Sequence, residues 1–274
     1  MKRIYEYLEK TSENRLAPRS YYIPEGKSEY ILLNGEWNFA YYSRDIDVPE
    51  KIEKWDRIQV PSCWQSLGYE NPNYCNINYP YPVDPPYVPD DNPCGIYERE
   101  FVIDKKWGSI YLVFEGVSSC AQLYINGKYV GFTQGSHLQS EFDITPYVKQ
   151  GENTVRAVVY KWCCGSYLED QDFFRYTGVA RDCYLYARNK TQIQDIRITP
   201  DLDAEYKNAT LAVELTMKGS GTVDLELLDA KNQVVASETV KASGKKTYTL
   251  NVENPAKWTA ETPNLYTLRA TLKA

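Results

Sequence analysis

At 274 residues, 43% hydrophobic and 25% charged, the chain is long enough for two domains with cores of their own, and its composition is that of a globular protein rather than a disordered or stapled one. A net charge of -6 and a pI near 5.1, with no cluster of Lys and Arg, argue against a nucleic-acid footprint, which must neutralise phosphates. No run of about 18 apolar residues is present, and the start MKRIYEYLEK lacks an apolar segment behind its basic residues. The expectation is therefore a soluble, cytoplasmic protein with no membrane partner, unless a leader has been removed.

Seven cysteines, at 63, 75, 94, 120, 163, 164 and 183, show no CxxC spacing, and His137 is the single histidine, so buried reduced thiols are expected rather than a zinc site. The 25 tyrosines are an excess that suits half-wet surfaces such as sugar clefts, although Tyr also simply favours strands.

In chain order, residues 1 to 30 read as an arm. A short helical pattern (Ile4, Tyr5, Leu8) gives way to an extended entry in which Pro18 and Pro24 forbid a helix. Ile31 to Ser43 places two apolar runs around Asn34-Gly35, the strongest short hairpin signal. Trp55, Ile58 and Val60 lead to a turn at Pro61 to Trp64. Between Pro72 and Pro93 lie seven of the fifteen prolines, interleaved with tyrosines. Proline at that density fixes φ and removes donors, so no central strand runs here. The reading is an ordered loop holding out Asn76, Asn78, Asp84, Asp90 and Asp91; the alternative is a rigid cover over a sheet edge.

Strands then become regular: Ile96 to Ile103, Ser109 to Val117, Ala121 to Phe132 with a second hairpin at Asn126-Gly127, and Val155 to Trp162. The last of these feeds Gly165 to Cys183, GSYLEDQDFFRYTGVARDC, where Glu169, Asp170 and Asp172 crowd among aromatic and basic residues. With no alternation of polar and apolar positions, this reads as a loop leading into a strand at Cys183 to Ala187, either a site or a solvated surface. Arg181-Asp182 reads as a local ion pair closing the loop, and Trp37, Trp64 and Trp162 as core. His137 has no acid or nucleophile near it in sequence.

After about Lys190 the composition shifts, since 34 of the 38 aromatic residues and all seven cysteines precede residue 191. Residues 1–190 and 191–274 are taken as two domains. The second carries six short strand patterns, which suggest an immunoglobulin-like sandwich, either complete or lacking its last strand. The fold class expected is all-β: a jelly-roll sandwich followed by an immunoglobulin-like sandwich.

Three motifs in order carry a resemblance: Pro61 to Phe101 (PSCWQSLGYENPNYCNINYPYPVDPPYVPDDNPCGIYEREF), Tyr124 to Thr145 (YINGKYVGFTQGSHLQSEFDIT) and Lys161 to Leu185 (KWCCGSYLEDQDFFRYTGVARDCYL). The chain closely resembles the amino-terminal region of the large β-galactosidases of glycoside hydrolase family 2. The match extends through NPAKWTAETPNLYTL at Asn254 to Leu268.

The resemblance implies a galactose-binding-like jelly roll followed by the family's first immunoglobulin-like domain. It also implies that the catalytic acid/base and nucleophile, two glutamates on a (β/α)₈ barrel, lie beyond the end of this chain, so that no catalytic residue is assigned here. Retaining hydrolysis needs two carboxyl groups about 5 to 5.5 Å apart across the bond. The acids at 169 to 172 are not that pair, because the family uses these positions to bind substrate.

Two places carry over. Asn76, in YCNINYP, matches an asparagine that helps bind galactose hydroxyls, with Ile77 beside it as an apolar contact. Asp172, in LEDQD, matches an aspartate that hydrogen-bonds the sugar and ligates sodium; magnesium is plausible for the full enzyme. An amide offers donor and acceptor to vicinal hydroxyls, and a carboxylate accepts from hydroxyls and coordinates hard cations. Phe173-Phe174 and Ala180 depart from the family pattern in ways that concern packing of the pocket.

The function implied is the non-catalytic part of a β-galactosidase that binds galactosides once the barrel completes the pocket. β-Glucuronidase and β-mannosidase rank lower because SYLEDQD resembles the galactosidases. The alternatives are a stand-alone carbohydrate-binding module and a structural or oligomer-forming segment, since the family's arm joins subunit contacts in a homo-oligomer.

Overall fold

A computed structural model describes residues 3–19, 29–76, 78–104, 107–169 and 172–273. The chain divides into two compact units, one running through Arg188 and the other from Asn189.

The first unit is a sandwich. Its larger sheet has seven strands in the order Ser12–Glu13, Lys128–Gln134, Cys120–Ile125, Gly151–Tyr160, Cys94–Ile103, Gly35–Tyr42 and Asp56–Val60, all antiparallel neighbours. The facing sheet has four, Ser140–Asp143, Ser109–Phe114, Cys183–Arg188 and Tyr30–Leu32. Gly151–Tyr160 shows why the sequence takes this form. Val155, Ala157 and Val159 alternate inward as buried residues, with Arg156, Val158 and Tyr160 less buried between them, as the two-residue period of a strand requires. The core between the sheets includes Trp37, Phe39, Trp64, Leu112, Phe114 and Leu185.

The two Asn-Gly signals part company. Asn126-Gly127 is a tight hairpin, with both residues at positive φ (51° and 75°) joining Cys120–Ile125 to Lys128–Gln134. Asn34-Gly35 instead carries the chain from one sheet to the other, because Tyr30–Leu32 pairs with Cys183–Arg188 while Gly35–Tyr42 pairs with Asp56–Val60 and Cys94–Ile103. The hairpin expected there is replaced by a corner. Asn34 donates to Asp182 Oδ1 at 2.7 Å and accepts from the Cys183 backbone N–H at 3.0 Å, and Arg99 donates to the carbonyls of Leu33 and Asn34 at 2.9 and 2.8 Å. Gly35, at φ 114°, makes the turn that a side chain would resist.

The amino-terminal arm is also more than an entry. Residues 20–28, with Pro24, lie outside the described residues, but Tyr5 is buried in a single 3₁₀ turn (Ile4–Glu6), and Ser12–Glu13 adds a strand against Phe132 and Thr133. Gly131 permits that approach: a methyl there would stand 2.3 Å from the Glu13 carbonyl oxygen and 3.0 Å from the Phe142 ring. Gly131→Ala is expected to cost about 2 kcal/mol and to release the arm. Arg15, which donates to Thr133 and Gln134 at 2.9 Å, becomes the reporter, as trypsin cuts after it faster in the variant than in the parent.

The second unit contains Gln192–Leu202, Ala209–Leu228, Val234–Val252 and Thr267–Lys273. The two long strands bend near Gly219 and Gly244, both at positive φ, and the register breaks between Thr216 and Ser220. Residues 209–216 pair with residues 245–252 and with Gln192–Leu202, whereas residues 220–228 pair with residues 234–243 and with Thr267–Lys273. The six strand patterns of the sequence are thus present, four of them as halves of two bent strands. Leu211, Val213 and Leu215 pack in one core with Val223, Leu225 and Leu250.

In the turn after Gln192–Leu202, Asp203 accepts the backbone N–H groups of Lys207 at 2.7 Å and Asn208 at 2.9 Å, which holds its carboxyl below the usual range. Because the folded-state value is depressed, the stabilisation is present at neutral pH and lost as the pH falls through that value. Asp203→Asn is therefore expected to lower the melting temperature of this unit at pH 7, with the gap closing well below pH ~3.9.

Candidate functional site

The Gly165 to Cys183 stretch is not a plain loop. After a 3₁₀ turn (Cys164–Tyr167) it forms two short strands, Phe173–Arg175 and Gly178–Val179, before entering Cys183–Arg188. The first pairs with Asn73–Cys75 from the proline-rich segment, in the register Phe173↔Cys75, Phe174↔Tyr74 and Arg175↔Asn73. The two stretches singled out in the sequence are therefore one ribbon. Prolines flank rather than interrupt its short strand, consistent with a peripheral position outside both sheets.

This ribbon brings Asn76 and Asp172 together. Tyr74 donates its hydroxyl to Asp172 Oδ1 in a short hydrogen bond, and the same hydroxyl accepts from Asn76 Nδ2 at 3.2 Å. Donation to the carboxylate favours the protonated phenol and raises the Tyr74 pKa. The Asn76 amide oxygen and the second Asp172 oxygen are left to meet a ligand. Tyr74, Phe174 and Tyr176 extend an aromatic edge beside them, with centroids 5.4 and 6.1 Å apart, and all three rings are exposed. Ile77 lies outside the described residues. Tyr74 was not among the residues chosen from the sequence; its signal was its place two residues before Asn76, the spacing that puts both on one face of an extended chain.

The acidic cluster divides. Asp172 faces Tyr74, whereas Glu169 turns away and accepts from the Ser136 backbone N–H at 2.8 Å and hydroxyl at 2.6 Å. Asp170 is outside the described residues. Arg181 and Asp182 do not pair. Arg181 donates to the His137 carbonyl at 3.4 Å while Asp182 receives Asn34, so each side chain is taken by a partner far away in sequence. His137 is exposed and meets the Phe173 ring edge-on at 6.4 Å. Trp37, Trp64 and Trp162 are buried, as expected.

Behind the ribbon is a network that the sequence did not announce. Lys161, 2% exposed, donates to Glu70 Oε1 and Asn73 Oδ1, both short contacts, while Glu70 Oε2 accepts from Trp64 Nε1 and Gln65 Nε2 at 3.0 Å. A buried ammonium needs such partners, and these tie the foot of the Asn73–Cys75 strand to the core.

Two β-sandwiches in series, the first bearing a polar and aromatic rim suited to hydroxyl-rich ligands, define the class of protein. Residues 31–189 match the model for the sugar binding domain of the glycosyl hydrolases family 2, and residues 191–274 match a second model of the same family. The chain belongs to the glycosyl hydrolases family 2.

Among curated relatives, the β-galactosidase of Actinobacillus pleuropneumoniae is 39% identical over 271 residues, covering 93% of this chain and 26% of its own length. That of Staphylococcus xylosus is 38% identical, covering 96% of this chain and 28% of its own. The chain thus spans about a quarter of the length of these relatives. Solved β-glucuronidases share the fold: that of Bifidobacterium dentium with a TM-score of 0.74 at 20% identity over 94% of this chain and 47% of its own, and that of Ruminococcus gnavus with 0.72 at 20% over 94% and 45%. Among the described residues there is no helix long and apolar enough to cross a membrane.

Proposed function

We propose that these residues are the sugar-binding, non-catalytic portion of a β-galactosidase that hydrolyses terminal β-D-galactosides with retention. Asn76, Ile77 and Asp172 are the proposed sugar contacts, and the two catalytic glutamates are supplied by a (β/α)₈ barrel that is not among the described residues. The observation that carries this reading is the junction of Asn76 and Asp172 through the Tyr74 hydroxyl, which sets an amide and a carboxylate side by side at an open aromatic edge. Vicinal hydroxyls need paired donors and acceptors held at fixed separation, and the ribbon provides that without moving either side chain.

Sodium at Asp172 fits this chemistry in part. One carboxylate oxygen of Asp172 is available, with the Asn76 amide oxygen close to it across the Tyr74 hydroxyl. Among the described residues no three His, Cys, Asp or Glu side chains are arranged to hold a metal ion, so magnesium finds no ready set here. The described cysteines are free thiols, which supports a reducing, cytoplasmic compartment. The arm strand is the element proposed to join a homo-oligomer.

The test is calorimetric titration of galactose and lactose, together with an assay of galactoside hydrolysis, on the chain alone and on the chain mixed with the barrel portion of a relative. Activity restored in the mixture, with no activity from the chain alone, supports the proposal. Sugar binding by the chain alone, with no restoration, indicates a stand-alone carbohydrate-binding module. Neither binding nor restoration leaves a structural or oligomer-forming role.

A further inference from the structure

A second concavity lies apart from the Asn76 and Asp172 rim. The proline-rich segment borders an open cavity of about 1000 Å³ at the end of the Gly151–Tyr160 strand, lined by Asn73, Tyr87, Lys161 and Trp162 among others. Asn73 and Tyr74 are successive residues of a strand, so their side chains leave it on opposite faces. The cavity and the Tyr74 rim therefore back onto each other across the ribbon.

The lining has a specific chemistry. At the floor, Lys161 contacts both Glu70 and Asn73, so one positive and one negative charge cancel. At the mouth, Arg3 is compensated by Asp90 at 3.2 Å and Asp45 at 3.8 Å. Each cation already has its carboxylate, which removes the selection for an anionic ligand. Glu6, Asp84 and Asp91 also line the cavity, so five carboxylates face two cations; the surplus acids disfavour an anion and offer acceptors to hydroxyls, and a cation is the competing ligand that the titration below tests. What remains on offer is a mixture of donors and acceptors. The Asn73 amide oxygen is taken by Lys161, which fixes the orientation of the group and leaves its nitrogen to donate. Asp84 presents an exposed acceptor. The same lining includes apolar surface: Pro80 and Pro82, both exposed, and the Tyr87 ring, 51% exposed.

Hydroxyl-matching groups and flat apolar faces in one lining suit a polyhydroxylated ring, whose hydroxyls project at its edge and whose C–H faces are apolar. The volume is in the range of small-molecule sites, about 300 to 1000 Å³. We infer that this cavity is a second saccharide subsite, built by Asn73, Asp84 and Tyr87 and independent of Asn76 and Asp172. It goes beyond the galactoside reading of the rim and stands on different residues.

The experiment is calorimetric titration of the full chain with lactose, and separately with putrescine as an organic-cation probe, in the parent, Tyr87→Ala, Asn73→Asp and Asp172→Ala. Tyr87 belongs to none of the hydrophobic clusters, and aspartate at 73 keeps the oxygen that Lys161 needs, so melting temperatures of both variants are expected to match the parent. The expected result is lactose binding that weakens about tenfold or more in Tyr87→Ala and in Asn73→Asp and persists in Asp172→Ala. Lactose binding abolished by Asp172→Ala and untouched by the other two overturns the inference while leaving the rim reading intact. Loss only in Tyr87→Ala and Asn73→Asp supports the subsite whatever becomes of the rim. Binding of putrescine without lactose, or no lactose binding in any form of the chain, overturns it.

Discussion

Replacing Trp64 by alanine is expected to lower the stability of the first unit by about 4 kcal/mol, the upper range for a buried aromatic. Trp64 is fully buried, packs against Phe39 and Tyr41 with centroids 6.4 and 5.8 Å away, and donates its indole N–H to Glu70 at 3.0 Å. The alanine variant loses the ring, leaves a cavity between the sheets and removes one of the hydrogen bonds that hold Glu70 against Lys161. Trp64→Phe separates these effects: it retains most of the burial and loses the charge-assisted hydrogen bond, for about 2 kcal/mol. Urea unfolding followed by tryptophan fluorescence measures both, since five of the six tryptophans precede residue 191. A loss below about 1 kcal/mol for the alanine variant would mean that the sandwich closes over the gap, contrary to the rigid packing of its core.

The second large effect is on ligand affinity. If the rim binds galactosides, Asp172→Ala in the complete enzyme is expected to weaken galactoside binding by about 30- to 100-fold, the cost of removing a charged acceptor from sugar hydroxyls. Tyr74→Phe is expected to cost about tenfold, because the hydroxyl that joins Asp172 to Asn76 is lost while the exposed ring stays. The two changes act on one network, so the double variant is expected to lose less than the product of the singles. Equilibrium binding of a non-hydrolysable galactoside measures all three. Full additivity would show that Tyr74 does not act through Asp172, and unchanged binding in Asp172→Ala would refute the rim assignment. Both Asp172 and Tyr74 are exposed and lie outside the hydrophobic clusters, so melting temperatures are expected to stay near that of the parent and serve as the control.

The clearest sequence signals were those whose physics is local. Val155, Ala157 and Val159 alternate because a strand between two neighbours must put every second side chain inward. Asn126-Gly127 forms its hairpin because both residues accept positive φ. The same dipeptide at Asn34-Gly35 misled, since positive φ is equally useful where a chain leaves one sheet for another. Only the partner strand, more than 150 positions away where Tyr184 and Leu185 pair with Leu32 and Ile31, decides between the two. Arg181-Asp182 misled for a related reason: each side chain found its partner, the His137 carbonyl and Asn34, far away in sequence.

For the stretch from Gly165 to Cys183, the sequence by itself determined the residue types: acids, aromatics and arginines, and through family resemblance the choice of Asp172. Tertiary structure decided what those residues do. It paired Phe174 with Tyr74 across about a hundred residues, sent Glu169 to Ser136, and joined Asp172 to Asn76 through a tyrosine hydroxyl. It also placed Lys161, an ordinary strand residue in sequence, in the floor of a cavity beneath the proline-rich segment. The physical reason is the same in each case. Periodicity and turn chemistry are set by a few adjacent residues. Hydrogen bonds between side chains far apart in the chain exist only once the sheets have packed and brought them within about 3 Å.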